Sequence, residues 1–195
     1  MKSMGTLGIV VAILAVLLVV GCSSYNGFVE AEENMEGTWA NVQTQYQRRA
    51  DLIPNLVNTV KGAAEFEQGT LTAVTAARAQ ATSINISADD LTPENIQRFQ
   101  EVQSQLSTGL GRLLATAENY PQLKANAQFQ ELQAQLEGTE NRIATARNDF
   151  NEIATTFNKK VRRFPGTVFA SIFGFEEKPL FEAQAGASNA PTVEF

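Results

Sequence analysis

The chain has 195 residues, 44% of them apolar, and 15 basic against 21 acidic side chains give a formal net charge of −6. That is the length of one domain with enough apolar residue to fill a core, and its acidic surface repels phosphates and argues against nucleic acid as a partner. There is no histidine and a single cysteine, Cys22, which removes the commonest metal ligand and neutral-pH base, any internal disulfide and any cysteine zinc site.

Lys2 is the only charge before Glu30, and residues 4–22 form an uncharged stretch of 19. It is just long enough for a transmembrane helix, since about 20 apolar residues cross a bilayer. It also has the basic start, apolar centre and small final residue, Gly21, of a signal peptide. Val19-Val20-Gly21-Cys22 resembles a bacterial lipobox, so Cys22 is a candidate for lipidation, with Ser23, Ser24 and Asn26 as a short tether. Both readings make residues 1–22 an anchor in a cell membrane, inner or outer. Lys2 on one side, and Glu30, Glu32, Glu33 and Glu36 on the other, place the body outside the cytoplasm by the positive-inside rule.

Residues 23–175 read as helices rich in Ala, Gln, Glu and Leu. Phe28, Met35 and Val42 form one stripe at intervals of seven, and Trp39, Tyr46, Ile53 and Val60 form another. They give helices over 27–52 and 54–81, the second continued by Leu71, Val74 and Ala77. Between them lies Arg48-Arg49-Ala50-Asp51-Leu52-Ile53-Pro54-Asn55-Leu56-Val57. Its proline removes one helical hydrogen bond and crowds the preceding turn, while its aliphatics demand burial. The segment is a kink or a corner, and the lack of turn residues around Pro54 favours the kink.

Residues 83–91 carry Ser, Asn and Asp and read as a surface loop. Thr92-Pro93-Glu94 then opens a helix over 93–119 with a cap, a first-turn proline and an acid. Phe99, Leu106, Leu113 and Tyr120 mark its buried side, and Gly109 and Gly111 allow a neighbouring helix to approach. Asn119-Tyr120-Pro121 closes or bends it. The last helix, over 122–163, carries Phe129, Leu136, Ile143, Phe150, Phe157 and Phe164 at intervals of seven. A stripe sustained that long predicts a left-handed, heptad-packed bundle. The fold class is therefore all-α: an up-and-down bundle of long antiparallel helices on an N-terminal membrane segment.

Lys159, Lys160, Arg162 and Arg163 end that helix, ahead of Phe164 and an apolar run over 168–175. This reads as a membrane-surface contact or as helix capping followed by a segment folded over the bundle end, the second being favoured. Residues 176–195 read as a flexible tail.

The segment 48–57 resembles the signature of the LemA family nearly letter for letter. Tyr25-Asn26-Gly27-Phe28-Val29, Glu118-Asn119-Tyr120-Pro121-Gln122-Leu123-Lys124-Ala125-Asn126, Leu136-Glu137-Gly138-Thr139-Glu140-Asn141-Arg142-Ile143, Arg147-Asn148, Phe150-Asn151 and Phe164-Pro165 are similar to the family pattern, in order, over residues 25–181. Phe150 stands where the family often has Tyr. The resemblance implies a helical bundle on a membrane segment. It implies genomic company with membrane proteases or TPM-domain proteins, and no enzymatic activity established for the class.

The residues that stand out are Arg48, Arg49, Asp51, Pro54, Asn55, Glu118, Asn119, Tyr120, Pro121, Glu140, Arg142 and Arg147. They read first as ion pairs and caps that fix helix register. The alternative makes Asp51, Glu118 or Glu140 an interior carboxylate site of an envelope hydrolase or ligand-binding protein, which would need a pocket lined by those acids. The first reading gives a non-enzymatic, membrane-anchored scaffold for other envelope proteins, with no catalytic residue, metal or cofactor. Self-association stays open.

Overall fold

The computed structural model describes residues 2–62 and 67–182. Among these residues six α-helices run in order: α1 Lys2–Lys61, α2 Gln68–Ser83, α3 Pro93–Ala117, α4 Pro121–Lys124, α5 Ala127–Arg162 and α6 Gly166–Phe173. One 3₁₀ turn, Ala88–Asp90, lies in the loop expected over 83–91. No strand occurs among the described residues. Contacts divide the chain into two compact units, Met1–Arg49 with Glu137–Lys178, and Ala50–Leu136 with Pro179–Phe195.

In the first unit, α1 and α5 pack antiparallel. Gly27 O accepts from Lys160 Nζ, the Trp39 ring lies 5.6 Å from that of Phe150, and Arg49 pairs with Glu140. Residue numbers rise along one helix as they fall along the other. The stripe residues Phe28, Met35, Trp39, Val42 and Tyr46 are buried, as are Ile143, Phe150 and Phe157. Ahead of them, Leu7, Ile9, Val10, Val11, Ile13, Leu14, Val16, Leu17, Leu18 and Val19 are exposed on every side of α1. Within α1 an 18-residue window reaches a mean hydropathy of 2.7, enough by length and composition to cross a membrane. The apolar stretch and the packed stripe belong to one helix, so the tether expected at Ser23, Ser24 and Asn26 is instead helical.

The heptad stripe stops short of its last member. Phe164 is 84% exposed, because α5 ends at Arg162 and the residue before a proline is pushed out of helical geometry. The chain then re-enters as α6, whose Ala170 is buried and whose Phe169 packs on the cluster of Phe28, Ala31, Phe157 and Val161. The tail expected from 176 is tied down at its start. Asn158 Nδ2 donates to Lys178 O at 2.8 Å, Lys178 N donates back to Asn158 Oδ1 at 2.8 Å, and Lys178 Nζ meets Glu32 Oε1 at 3.1 Å. Residues 183–195, the rest of that expected tail, lie outside the described residues.

In the second unit, α1 does not reverse at Pro54. It runs through the proline to Lys61, and α2 begins at Gln68, so the single helix expected over 54–81 is two. α2 and α3 pack antiparallel, Val74 against Gly109 and Ala81 against Gln103. A Cβ on Gly109 would lie 3.5 Å from Val74 Cγ2 and 3.8 Å from its Cα, so that glycine does admit a close neighbour; one on Gly111 would meet open space. Thr92 Oγ1 accepts from Asn95 N at 3.2 Å and caps α3 as the sequence suggests. The last long helix starts later than 122: α4 is one turn, and Asn126 Oδ1 accepts from the Gln128 and Phe129 amides to cap α5. Phe181 of this unit is buried, its ring 6.5 Å from that of Phe99.

Pro54 leaves one backbone acceptor without its helical donor: the carbonyl four residues earlier, on Ala50. Ala50 is buried, so water does not serve it. Arg78 does: its Nε donates to Ala50 O at 2.7 Å. A side chain of α2 thus replaces the missing N–H of α1. Arg78→Met, which keeps an apolar stem, should cost about 2 kcal/mol, the range for stranding a buried acceptor. In a Pro54→Ala background the backbone recovers its own donor, and the same change should cost less than about 1 kcal/mol. Urea unfolding of the four proteins in mild detergent measures the difference; equal costs in both backgrounds would refute it.

Candidate functional site

The charged motif residues are divided between the two units. In the second unit, Asp51, Asn55, Glu118, Asn119 and Pro121 are exposed, while Pro54 and Tyr120 are half-buried. Asp51 sits inside α1 and does not cap a restarted helix, as an N-terminus at Pro54 would have required. In the first unit, Arg48 and Arg142 are exposed, Arg147 is half-buried and Arg49 is buried at 1% exposure. Arg49 is therefore the motif charge that the fold takes out of water.

Its surroundings explain how. Helical spacing puts Tyr46 one turn before Arg49, and the guanidinium carbon lies 5.1 Å from the Tyr46 ring centroid. Two turns of α5 bring Glu140 and Arg147 onto one face. Glu140 Oε1 accepts from Arg49 Nη1 at 2.7 Å, and Arg147 donates to the Tyr46 hydroxyl. The four side chains make an alternating cluster of phenol, cation, carboxylate and cation. Thr139, at 1% exposure, is buried beside Glu140 in sequence. Tyr46 and Thr139 were not singled out from the sequence, where the first looked like one more member of an apolar stripe.

Burial pushes the Tyr46 hydroxyl above its ordinary 10.0; Arg147 and Arg49 pull it back and Glu140 adds to the rise. The phenol is therefore neutral at physiological pH and accepts from Arg147 rather than acting as an anion. The raised value means its share of stability is whole below pH 10 and is lost as pH climbs toward and through the folded-state value. Tyr46→Phe should flatten the fall of stability above pH 10, measured by unfolding across an alkaline series. A slope unchanged by the substitution would place the titrating group elsewhere.

The cluster has the chemistry of a clasp. Its one carboxylate is taken up by a buried cation, and its arginines are donors only. No group of His, Cys, Asp and Glu with the makings of a metal site occurs among the described residues. The interior-carboxylate alternative needed a pocket lined by Asp51, Glu118 or Glu140. An open concavity of about 460 Å³ lies between α2 and α3, walled by Thr70, Ala73, Ala77, Gln105, Thr108 and Arg112. None of the three acids lines it, nor do they line two smaller concavities of the same unit.

The model of the LemA family matches residues 38–195, most of the chain. The sequence is 26% identical over 201 residues to Magnetosome protein MamQ 2 of Paramagnetospirillum magneticum, across 94% of this chain and 72% of that protein. It is 26% identical over 186 residues to Magnetosome protein MamQ of Magnetospirillum gryphiswaldense, across 87% and 68% respectively. It is 24% identical over 158 residues to Protein LemA of Metamycoplasma hominis, across 81% and 68%.

Proposed function

The chain belongs to the LemA family, and on that premise we propose that it is a non-enzymatic, membrane-anchored helical scaffold of the bacterial envelope. The observation that carries this reading is α1 itself. One uninterrupted helix holds both an apolar stretch exposed on every side and the buried stripe from Phe28 to Tyr46. Such a stretch is soluble only in lipid. Of the family's charged motif, Arg49 is taken up by packing on Glu140. The polar outer faces of α3 and α5 then remain as surfaces for other envelope proteins, a membrane protease or a TPM-domain protein among them. The body lies on the extracytoplasmic side, by the charge asymmetry about the anchor.

Photo-crosslinking residues at exposed positions of α3, such as Gln97 and Gln105, should give discrete adducts with other envelope proteins in native membranes. Adducts with lipid alone would refute the scaffold. A stable, membrane-bound Glu140→Gln variant that fails to complement a deletion strain would favour a carboxylate site instead. The kind of anchor is a separate question. Cys22 is an exposed thiol at the end of the apolar stretch. If it is lipidated, Cys22→Ser abolishes fatty-acid labelling and leaves an uncleaved precursor; equal labelling and size would leave the transmembrane form.

A further inference from the structure

α6 has two apolar faces and the fold uses one. Phe169 and Ala170 face inward, while Phe173, 41% exposed, lies along Tyr25 at the edge. A Cβ on Gly21 would lie 3.1 Å from the Phe169 ring, Ala170 is buried, and the Phe173 ring is edge-on to Tyr25 at 5.2 Å. Val168 and Ile172, four residues apart on the other side of α6, are 47% and 67% exposed, and Phe164, four residues earlier, is 84% exposed. A helix at a water-facing surface would carry polar residues there.

What covers this face follows from where α6 sits. It meets α1 at Gly21, Tyr25 and Phe28, so it docks from the end of the apolar stretch over the next two turns. About 20 helical residues fill the ~30 Å hydrocarbon layer, and a span that starts near residue 4 surfaces near Cys22. A cleaved chain held by lipid on Cys22 would place the same residues at the same level. The cations of α5 lie close to this level too. Lys160 Nζ reaches Gly27 O at 3.1 Å, which is ~8 Å along the helix from Cys22 at 1.5 Å per residue. Lys159 and Arg163 are exposed beside it, and Arg162 meets Glu177 at 3.6 Å. An uncharged helix with an open apolar face, next to basic side chains at headgroup depth, has the composition of an interfacial anchor.

We propose that Phe164, Val168 and Ile172 enter the headgroup boundary of the membrane that holds α1, as a second membrane contact of the same protein. The occupant of the exposed face is lipid, and Lys159 and Arg163 favour anionic headgroups. The inference rests on the membrane-anchor reading of residues 1–22, and the test separates the two.

The full chain is reconstituted into vesicles of phosphatidylcholine and phosphatidylglycerol whose acyl chains are brominated near the headgroup or near the bilayer centre. The one native tryptophan, Trp39, is buried and gives a baseline that bromine leaves unquenched. Ile172→Trp should add blue-shifted emission that shallow bromines remove for the most part and deep ones spare. Leu14→Trp should be quenched by deep bromines. Val168→Trp replaces Ile172→Trp should the latter lose its helical circular dichroism. Lys159→Glu with Arg163→Glu should weaken the shallow quenching at position 172 in anionic vesicles. If position 14 is quenched and position 172 emits as in water, the second contact is wrong and the anchor stands. If position 14 also emits as in water, the anchor reading falls and this inference with it.

Discussion

Phe150→Ala is expected to cost about 4 kcal/mol, the largest loss from any single truncation in the first unit. Phe150 is fully buried on α5, and its ring lies 5.6 Å from that of Trp39, which is itself 2% exposed. Removing it deletes an aromatic from the place where the two helices meet, and two rigid helices collapse poorly onto a void. Leu136, buried in the second unit, should cost somewhat less on truncation, about 3 kcal/mol. Urea unfolding of the full chain in mild detergent reads both. A Phe150→Ala change under about 1 kcal/mol would mean the site relaxes in a way that cores of this density do not.

Glu140→Gln should also be costly, and for a different reason. Arg49 has left water, at 1% exposure, and Glu140 Oε1 is 2.7 Å from its Nη1. Taking the carboxylate away leaves a buried cation whose charge is no longer matched. The Glu140 side chain is 47% exposed, so solvent screens part of the pair. We expect about 2 kcal/mol, below the 3–5 kcal/mol typical of fully buried pairs. Arg49→Met in the Glu140→Gln background should recover part of that loss, since an apolar side chain of similar length fills the space without a charge. Losses that simply add would show that the two residues act independently.

Most of the helical fold was legible because its signal is local and periodic. Phe28, Met35, Val42, Trp39 and Tyr46 lie every seventh residue on their stripes, and burial follows that spacing. The failures have physical causes too. The break between Lys61 and Gln68 is flanked by good helix formers, with only Gly62 and Gly69 as signals. Phe164 matched the heptad, but the proline after it outranks periodicity. Asp51 caps no helix at Pro54, because α1 runs through that proline and Asp51 lies exposed inside it. The resemblance singled out Arg49 and Glu140 separately. Their pairing joins residues 91 apart in sequence, and no local pattern reveals that. Arg78 gave no warning at all: a lone cation in an alanine-rich helix looks like solvent decoration.

The bond from Arg78 to the Ala50 carbonyl also bears on how α1 comes apart. In most helices a proline weakens one turn permanently. Here the weak turn is mended from outside, by a group on another element. α1 at Pro54 is therefore a latent hinge, locked for as long as α2 is docked. Undocking α2 and loosening that turn are one cooperative event, and amide exchange should report them as a single opening.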